Sequence, residues 1–103
     1  MATILVVDDA ALTREHLGLI LQPDGHVVHA VADGQSALER LHQQSFDLMI
    51  TDLRMPNLDG LELLHAVRDE EMPMGVIVLT GHGDTDIALE AMKAGADDFV
   101  TKP

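Results

Sequence analysis

No cysteine occurs among the 103 residues, which excludes disulfides and thiolate metal sites and fits a cytosolic protein. Basic residues are scarce as well. Six Lys plus Arg against eighteen Asp plus Glu leave a net charge of −12, which argues against a grip on DNA or on an anionic membrane. No apolar run approaches the roughly 18 residues of a membrane span. Met1-Ala2-Thr3 leads straight into a strand-like run, without the basic n-region of a secretion signal. Linkers, repeats and low-complexity stretches are also missing, so the length predicts one domain spanning residues 1–103. What the chain has in excess is acid. Most of these carboxylates belong to a solvated surface, but their number points to cationic partners, with Mg²⁺ the simplest.

Short aliphatic runs punctuate the chain: Ile4-Leu5-Val6-Val7, His26 to Val31, Leu48-Met49-Ile50, Val76 to Leu79, and Phe99-Val100. The first and fourth are continuously apolar, as parallel strands covered on both faces must be. Between the runs lie segments of helical spacing: Leu12 to Leu21, then Ala37, Leu38 and Leu41, then Leu61, Leu64 and Val67, and then Ile87, Ala88, Ala91 and Met92. Turn signals separate them at Pro23-Asp24-Gly25, Asp33-Gly34, Pro56-Asn57, Asp59-Gly60, Pro73 and Gly95. This order predicts an α/β fold with a doubly wound parallel sheet. No helical pattern follows the fifth run, so one face of the sheet would be covered by the first helix alone. The expectation is a piece of a longer protein, or a partner chain (a homodimer or a swapped dimer) over the bare patch.

Ligands of such sheets bind at the carboxyl ends of the strands. Asp8-Asp9, Thr51-Asp52, Thr80-Gly81 and Thr101-Lys102 fall at four of those ends. A single Asp there is ordinarily a cap or turn residue, but three acids, a hydroxyl and a lysine on one rim are harder to explain as caps. Each carboxylate pair at about 4 Å costs roughly 4 kcal/mol at an effective dielectric of about 20. The cluster therefore needs cations or raised pKa values. Mg²⁺ and the Lys102 ammonium together supply that charge. Asp8 and Asp9 suit the metal, Asp52 can be a nucleophile that forms an acyl phosphate, and Thr80 and Lys102 can hold phosphoryl oxygens.

Other features are set aside. Gly81-His82-Gly83 lacks the third glycine of a dinucleotide loop, and Asp84 and Asp86 would repel a phosphate while suiting a helix N-terminus as caps. None of the six histidines stands in a zinc-ligand spacing, and His26 and His29 fall on opposite sides of a strand. His82 reads as a solvated loop residue that could influence phosphoryl lifetime. An aspartyl-nucleophile phosphatase would carry a second acid two residues after the nucleophile, where this chain has Arg54. A module that is never phosphorylated would have lost an acid, the hydroxyl or the lysine, and this chain keeps them all.

With these residues in place, the chain resembles the receiver domains of two-component response regulators over essentially its whole length. The matching stretches are Ile4 to Asp9, Asp52-Leu53-Arg54-Met55-Pro56-Asn57-Leu58-Asp59-Gly60, Leu79-Thr80-Gly81 and Asp98 to Pro103. The resemblance implies a flavodoxin-like five-stranded sheet of order 2-1-3-4-5. It implies a cytoplasmic signalling domain, not an enzyme in its own right, that takes a phosphoryl group from a sensor histidine kinase or phosphotransfer protein. By the same resemblance Asp52 is the phosphoacceptor, and Asp8, Asp9, Asp52 and the backbone carbonyl of Arg54 hold Mg²⁺. Thr80 and Phe99 are the switch pair, and Lys102 precedes Pro103 through a peptide bond expected to be cis. Thr80 to Asp84 and Ala91 to Ala96 look more specifically like receivers of enhancer-binding transcription activators. Ala10 departs from the family, where another acid or polar residue is common, and so does the missing fifth helix, which puts the usual signalling surface in question.

Overall fold

A computed structural model describes residues 1–81 and 83–102. Its strands are β1 (Thr3–Val7), β2 (Val27–Val31), β3 (Leu48–Asp52), β4 (Gly75–Thr80) and β5 (Asp98–Thr101). The helices between them are α1 (Ala11–Leu21), α2 (Gly34–Gln43), α3 (Gly60–Asp69) and α4 (Thr85–Ala94), and a 3-10 turn over Gln22–Asp24 follows α1. All pairings are parallel and the strand order is β2-β1-β3-β4-β5. The parallel sheet is the one the alternating pattern predicted, and its strand order is the one the resemblance implied. Central β1 places Val6 opposite both Ala30 and Ile50, and β3 places Asp52 opposite Leu79.

Alternation along each strand sorts the core into two layers. Leu5, Val7, Met49, Val76 and Val78 face Ala37, Leu41, Leu63, Leu64, Val67 and Ala91 from α2, α3 and α4. Ile4, Val6, Ile50 and Leu79 face the other way, where Leu17 and Leu21 of α1 pack against them. This second layer is thin. α1 buries none of its residues, and Leu12 and Leu19 are 76% and 73% exposed. Leu12, Leu17, Ile20, Leu79 and Val100 line an open groove of about 380 Å³ between α1 and β5. No helix follows β5 among the described residues, in keeping with the bare face expected from the sequence.

The helix starts are chemically set. Asp33 caps α2 by accepting from Ser36 N at 2.7 Å. Asp59 and Glu62 form a reciprocal capping box on α3, with bonds of 2.9 and 3.1 Å. Gly60 is required there by proximity. A Cβ on it would collide with the Asp52 carbonyl oxygen and come within 2.8 Å of Leu53 Cα. At the far end of the sheet Gly95 ends α4 at φ 112, a left-handed conformation that suits glycine. Arg68 clamps that turn, donating to the carbonyls of Gly95 and Met74 and pairing with Asp97.

Candidate phosphoacceptor site

The carboxyl ends of β1, β3, β4 and β5 meet on one rim, as the strand-end reading required. Asp8 directly follows β1, Asp52 ends β3, Thr80 ends β4 and Lys102 directly follows β5. Asp8, Asp52 and Thr80 are buried and Asp9 is exposed. Carboxylate oxygens of Asp8, Asp9 and Asp52 lie within 4.8 Å of one another. The Lys102 ammonium bridges two of them, 2.9 Å from Asp8 Oδ2 and 3.0 Å from Asp52 Oδ2. Its own backbone is fixed by a 2.7 Å bond from Lys102 N to the Thr80 carbonyl.

Asp8 Oδ1 accepts the Ala10 amide at 2.9 Å, and Arg14 holds the Asp8 carbonyl at 2.8 Å. Its second carboxylate oxygen, Oδ2, is buried and has no hydrogen-bond partner apart from the ammonium contact. Burial, above all, raises the Asp52 carboxyl above its usual value. The negative charge of Asp8 adds to this, while hydrogen bonding to Lys102 opposes it. Burial also acts to lower Lys102, but its two carboxylate partners prevail and its pKa is raised. Three carboxylates against one ammonium leave two negative charges in excess. With Asp8 Oδ2 buried and held by the ammonium alone, this donor set fits a hard divalent cation such as Mg²⁺.

The remaining expected residues are distributed unevenly. Thr80 sits one residue beyond the position paired with Asp52. Phe99 pairs with Val78 and so shares the sheet face of Thr80, but its ring is 43% exposed and outside the core. Arg54 occupies the loop after β3, where its amide is 3.4 Å from Asp52 Oδ1. Its guanidinium turns away to Asp84, with Nε at 3.0 Å and a terminal nitrogen at 2.8 Å from the same oxygen. The expectation that Asp84 caps α4 is therefore corrected. It stands at the cap position, but its side chain accepts nothing from the helix: its backbone (φ −97, ψ 26) lies outside the extended conformation that Asp33 and Asp59 adopt at their caps, and its Oδ1 pairs with Arg54. Sequence reasoning missed this pair; the only signal was an unmatched cation two residues from a cluster of acids.

His26 and His29 do not converge. His26 Nδ1 accepts the Ala2 amide at 3.0 Å, while His29 packs edge-on against Phe46 and accepts from Arg40. The expected roles of His82 and of the Lys102–Pro103 peptide bond lie outside the described residues. No helix is long and apolar enough to cross a membrane among the described residues.

Comparison with known proteins agrees with this geometry. Residues 4–103 match the response regulator receiver domain family. Over 100 residues the chain is 43% identical to the transcriptional regulatory protein FixJ of Bradyrhizobium diazoefficiens, covering 97% of this chain and 49% of that protein. It is 41% identical to the two-component response regulator PhoP of Pseudomonas aeruginosa, covering 97% and 44%. The chain thus spans about half the length of these curated relatives. A crystal structure of a receiver domain protein from Clostridium thermocellum superposes with a TM-score of 0.93 at 37% identity, over 100% of this chain and 83% of that one. The sheet order, the acidic rim and these matches lead to one conclusion: the chain belongs to the response regulator receiver domain family, the phosphoaccepting domains of two-component signalling.

Proposed function

We propose that Asp52 is the residue of this receiver domain that accepts the phosphoryl group, with Asp8, Asp9, Asp52 and the Arg54 carbonyl holding Mg²⁺. The observation that carries the reading is the Lys102 ammonium shared between Asp8 and Asp52 at 2.9 and 3.0 Å. It aligns the Asp52 carboxylate and leaves a cation beside the oxygen that attacks. In the reaction an Asp52 oxygen attacks phosphorus of a phosphohistidine. A P–O bond forms, the P–N bond breaks, and the departing imidazole takes a proton from solvent. Bound Mg²⁺ would neutralise charge on the phosphoryl oxygens. Lys102 supplies the second positive charge to those oxygens, and the Thr80 hydroxyl donates a hydrogen bond.

The acyl phosphate carries about −1.5 to −2 charge in place of the carboxylate's −1. Thr80 moves toward it, and the Phe99 ring, which stands outside the core on the same sheet face, moves into the space released. The surface reshaped is that of α4 and β5, where Leu89, Lys93 and Val100 are exposed. The donor is a sensor histidine kinase or a phosphotransfer protein, the setting is cytoplasmic, and the reader is an output domain or partner. The apolar side chains of the thin α1 face would be covered either by further residues of a longer protein or by a partner chain in a homodimer or swapped dimer.

The test is labelling with acetyl phosphate and Mg²⁺, read by intact mass, with a sizing measurement on the same sample. Wild type should gain one phosphoryl group and Asp52→Asn none. Stoichiometric label on the variant would move the acceptor elsewhere.

A further inference from the structure

We propose that Arg54 and Asp84 form a latch that the charge on Asp52 opens, releasing Asp84 to cap α4. This rests on Asp52 being the phosphoacceptor. Three helices open on an aspartate at the cap position, and two of those side chains do what the position favours: Asp33 takes Ser36 N at 2.7 Å and Asp59 takes Glu62 N at 2.9 Å. Asp84 does not. Its Oδ1 instead receives both Arg54 contacts, from a loop thirty residues earlier in the chain. The first turn of α4 is left without a side-chain acceptor for its free amides.

Arg54 is placed to sense Asp52. It lies two residues downstream, its amide approaches Asp52 Oδ1, and its guanidinium is 66% exposed, so no packing holds it on Asp84. Hydrogen bonding to Asp84 is the first cause of the raised guanidinium pKa, but the charge of Asp52 also contributes, so both anions already act on it. A phosphoryl group on Asp52 replaces one negative charge with about 1.5 to 2 and offers oxygens suited to a bidentate guanidinium. Arg54 then transfers to the phosphoryl group. Asp84, freed, moves from φ −97, ψ 26 to the extended backbone of Asp33 and Asp59 and turns its carboxylate to the amides of Asp86 and Ile87, as those two do on their own helices. Arg54 is in this sense a positioning residue: it acts on α4 through Asp84.

Two variants and one probe test the latch. In the resting protein Arg54→Ala should free Asp84, slowing amide exchange at Asp86 and Ile87 about two- to fivefold, the range open to exposed ion pairs and caps. Beryllofluoride with Mg²⁺, a phosphoryl mimic, should slow the same amides in wild type and add nothing further in Arg54→Ala. Asp84→Ser keeps a capping side chain but cannot hold the guanidinium, so it should bind beryllofluoride about two- to fivefold more tightly, and that gain should vanish in the double variant. Unchanged exchange in Arg54→Ala, or a gain from Asp84→Ser that persists without Arg54, overturns the latch. Equal beryllofluoride binding by Asp52→Asn brings down the acceptor assignment and the coupling to it; the resting-state exchange result identifies that case.

Discussion

Replacing Lys102 by Met removes the one ammonium that touches two buried carboxylates while keeping most of the side-chain stem. At 2.9 and 3.0 Å the two contacts are each worth about 5–6 kcal/mol at an effective dielectric of about 20. Desolvation of all three groups consumes much of that gain. Lys102 is also 25% exposed, so the net loss should sit near the low end for breaking a buried pair, about 3 kcal/mol. The pH dependence separates this from lost packing. Lys102 has a raised pKa, so its contribution is fully present below 10.5 and is lost only as pH rises through the raised value. Asp52 is also raised, from 3.8, and without Lys102 it rises further. The variant therefore loses stability as pH climbs from 3.8 through that higher value, and regains it as Asp52 protonates. Urea unfolding followed by circular dichroism, with chelator present, should show the full penalty at about pH 7 and a smaller one at about pH 4.5. Circular dichroism is the appropriate signal because the chain has no Trp or Tyr. Added Mg²⁺ should stabilise the variant more than wild type, since the site has lost its competing cation. A variant as stable as wild type at neutral pH, or a penalty equal at both pH values, would refute the reasoning.

Asp52→Asn should be more stable than wild type by about 1–2 kcal/mol at neutral pH, because it removes a buried charge beside Asp8. The raised Asp52 pKa costs stability above it, so the two denaturation profiles should converge as pH falls toward 3.8. Gly60→Ala should cost about 3 kcal/mol, the upper part of the range for overpacking, because the atoms it meets are backbone and cannot rotate aside. The same substitution should slow acetyl phosphate labelling, since the backbone displaced is that of Asp52. Asp59→Ala should cost about 1 kcal/mol in urea unfolding through loss of the capping box, with labelling of Asp52 retained.

The fold was legible because its strands are aliphatic and its helices amphipathic. Ile4-Leu5-Val6-Val7 and Val76 to Leu79 can be little but buried parallel strands, and β1 and β4 contain them. The acid cluster was legible through one rule, that strand ends converge on a crevice, together with the run Asp8-Asp9 and the places of Asp52, Thr80 and Lys102 at three further strand ends. What escaped depends on rotamers and on competition between partners. Asp84 has the residue type and place of a cap, and its backbone angles together with the three-dimensional approach of Arg54 divert it. Asp59-Gly60 read as a turn, whereas its larger role is to let α3 start against the Asp52 carbonyl. Phe99 as part of a strand was expected; that β5 leaves its ring at the surface follows from its edge position, with a neighbour on one side only.

The contact between Gly60 and the backbone of Asp52 gives the site a fixed jaw and a moving one. α3 begins hard against Asp52, bonded through Gly60 N to the Leu53 carbonyl and closed by its capping box, so it has no slack to take up. On the opposite side, α4 reaches the site through the Gly81–Asp84 turn and an ion pair to an exposed arginine. If Asp52 is the acceptor as proposed, a group added there would meet a wall on one side and the looser α4 on the other. On that proposal a reader of the phosphorylated state would gain more by binding over α4 and β5 than over α3.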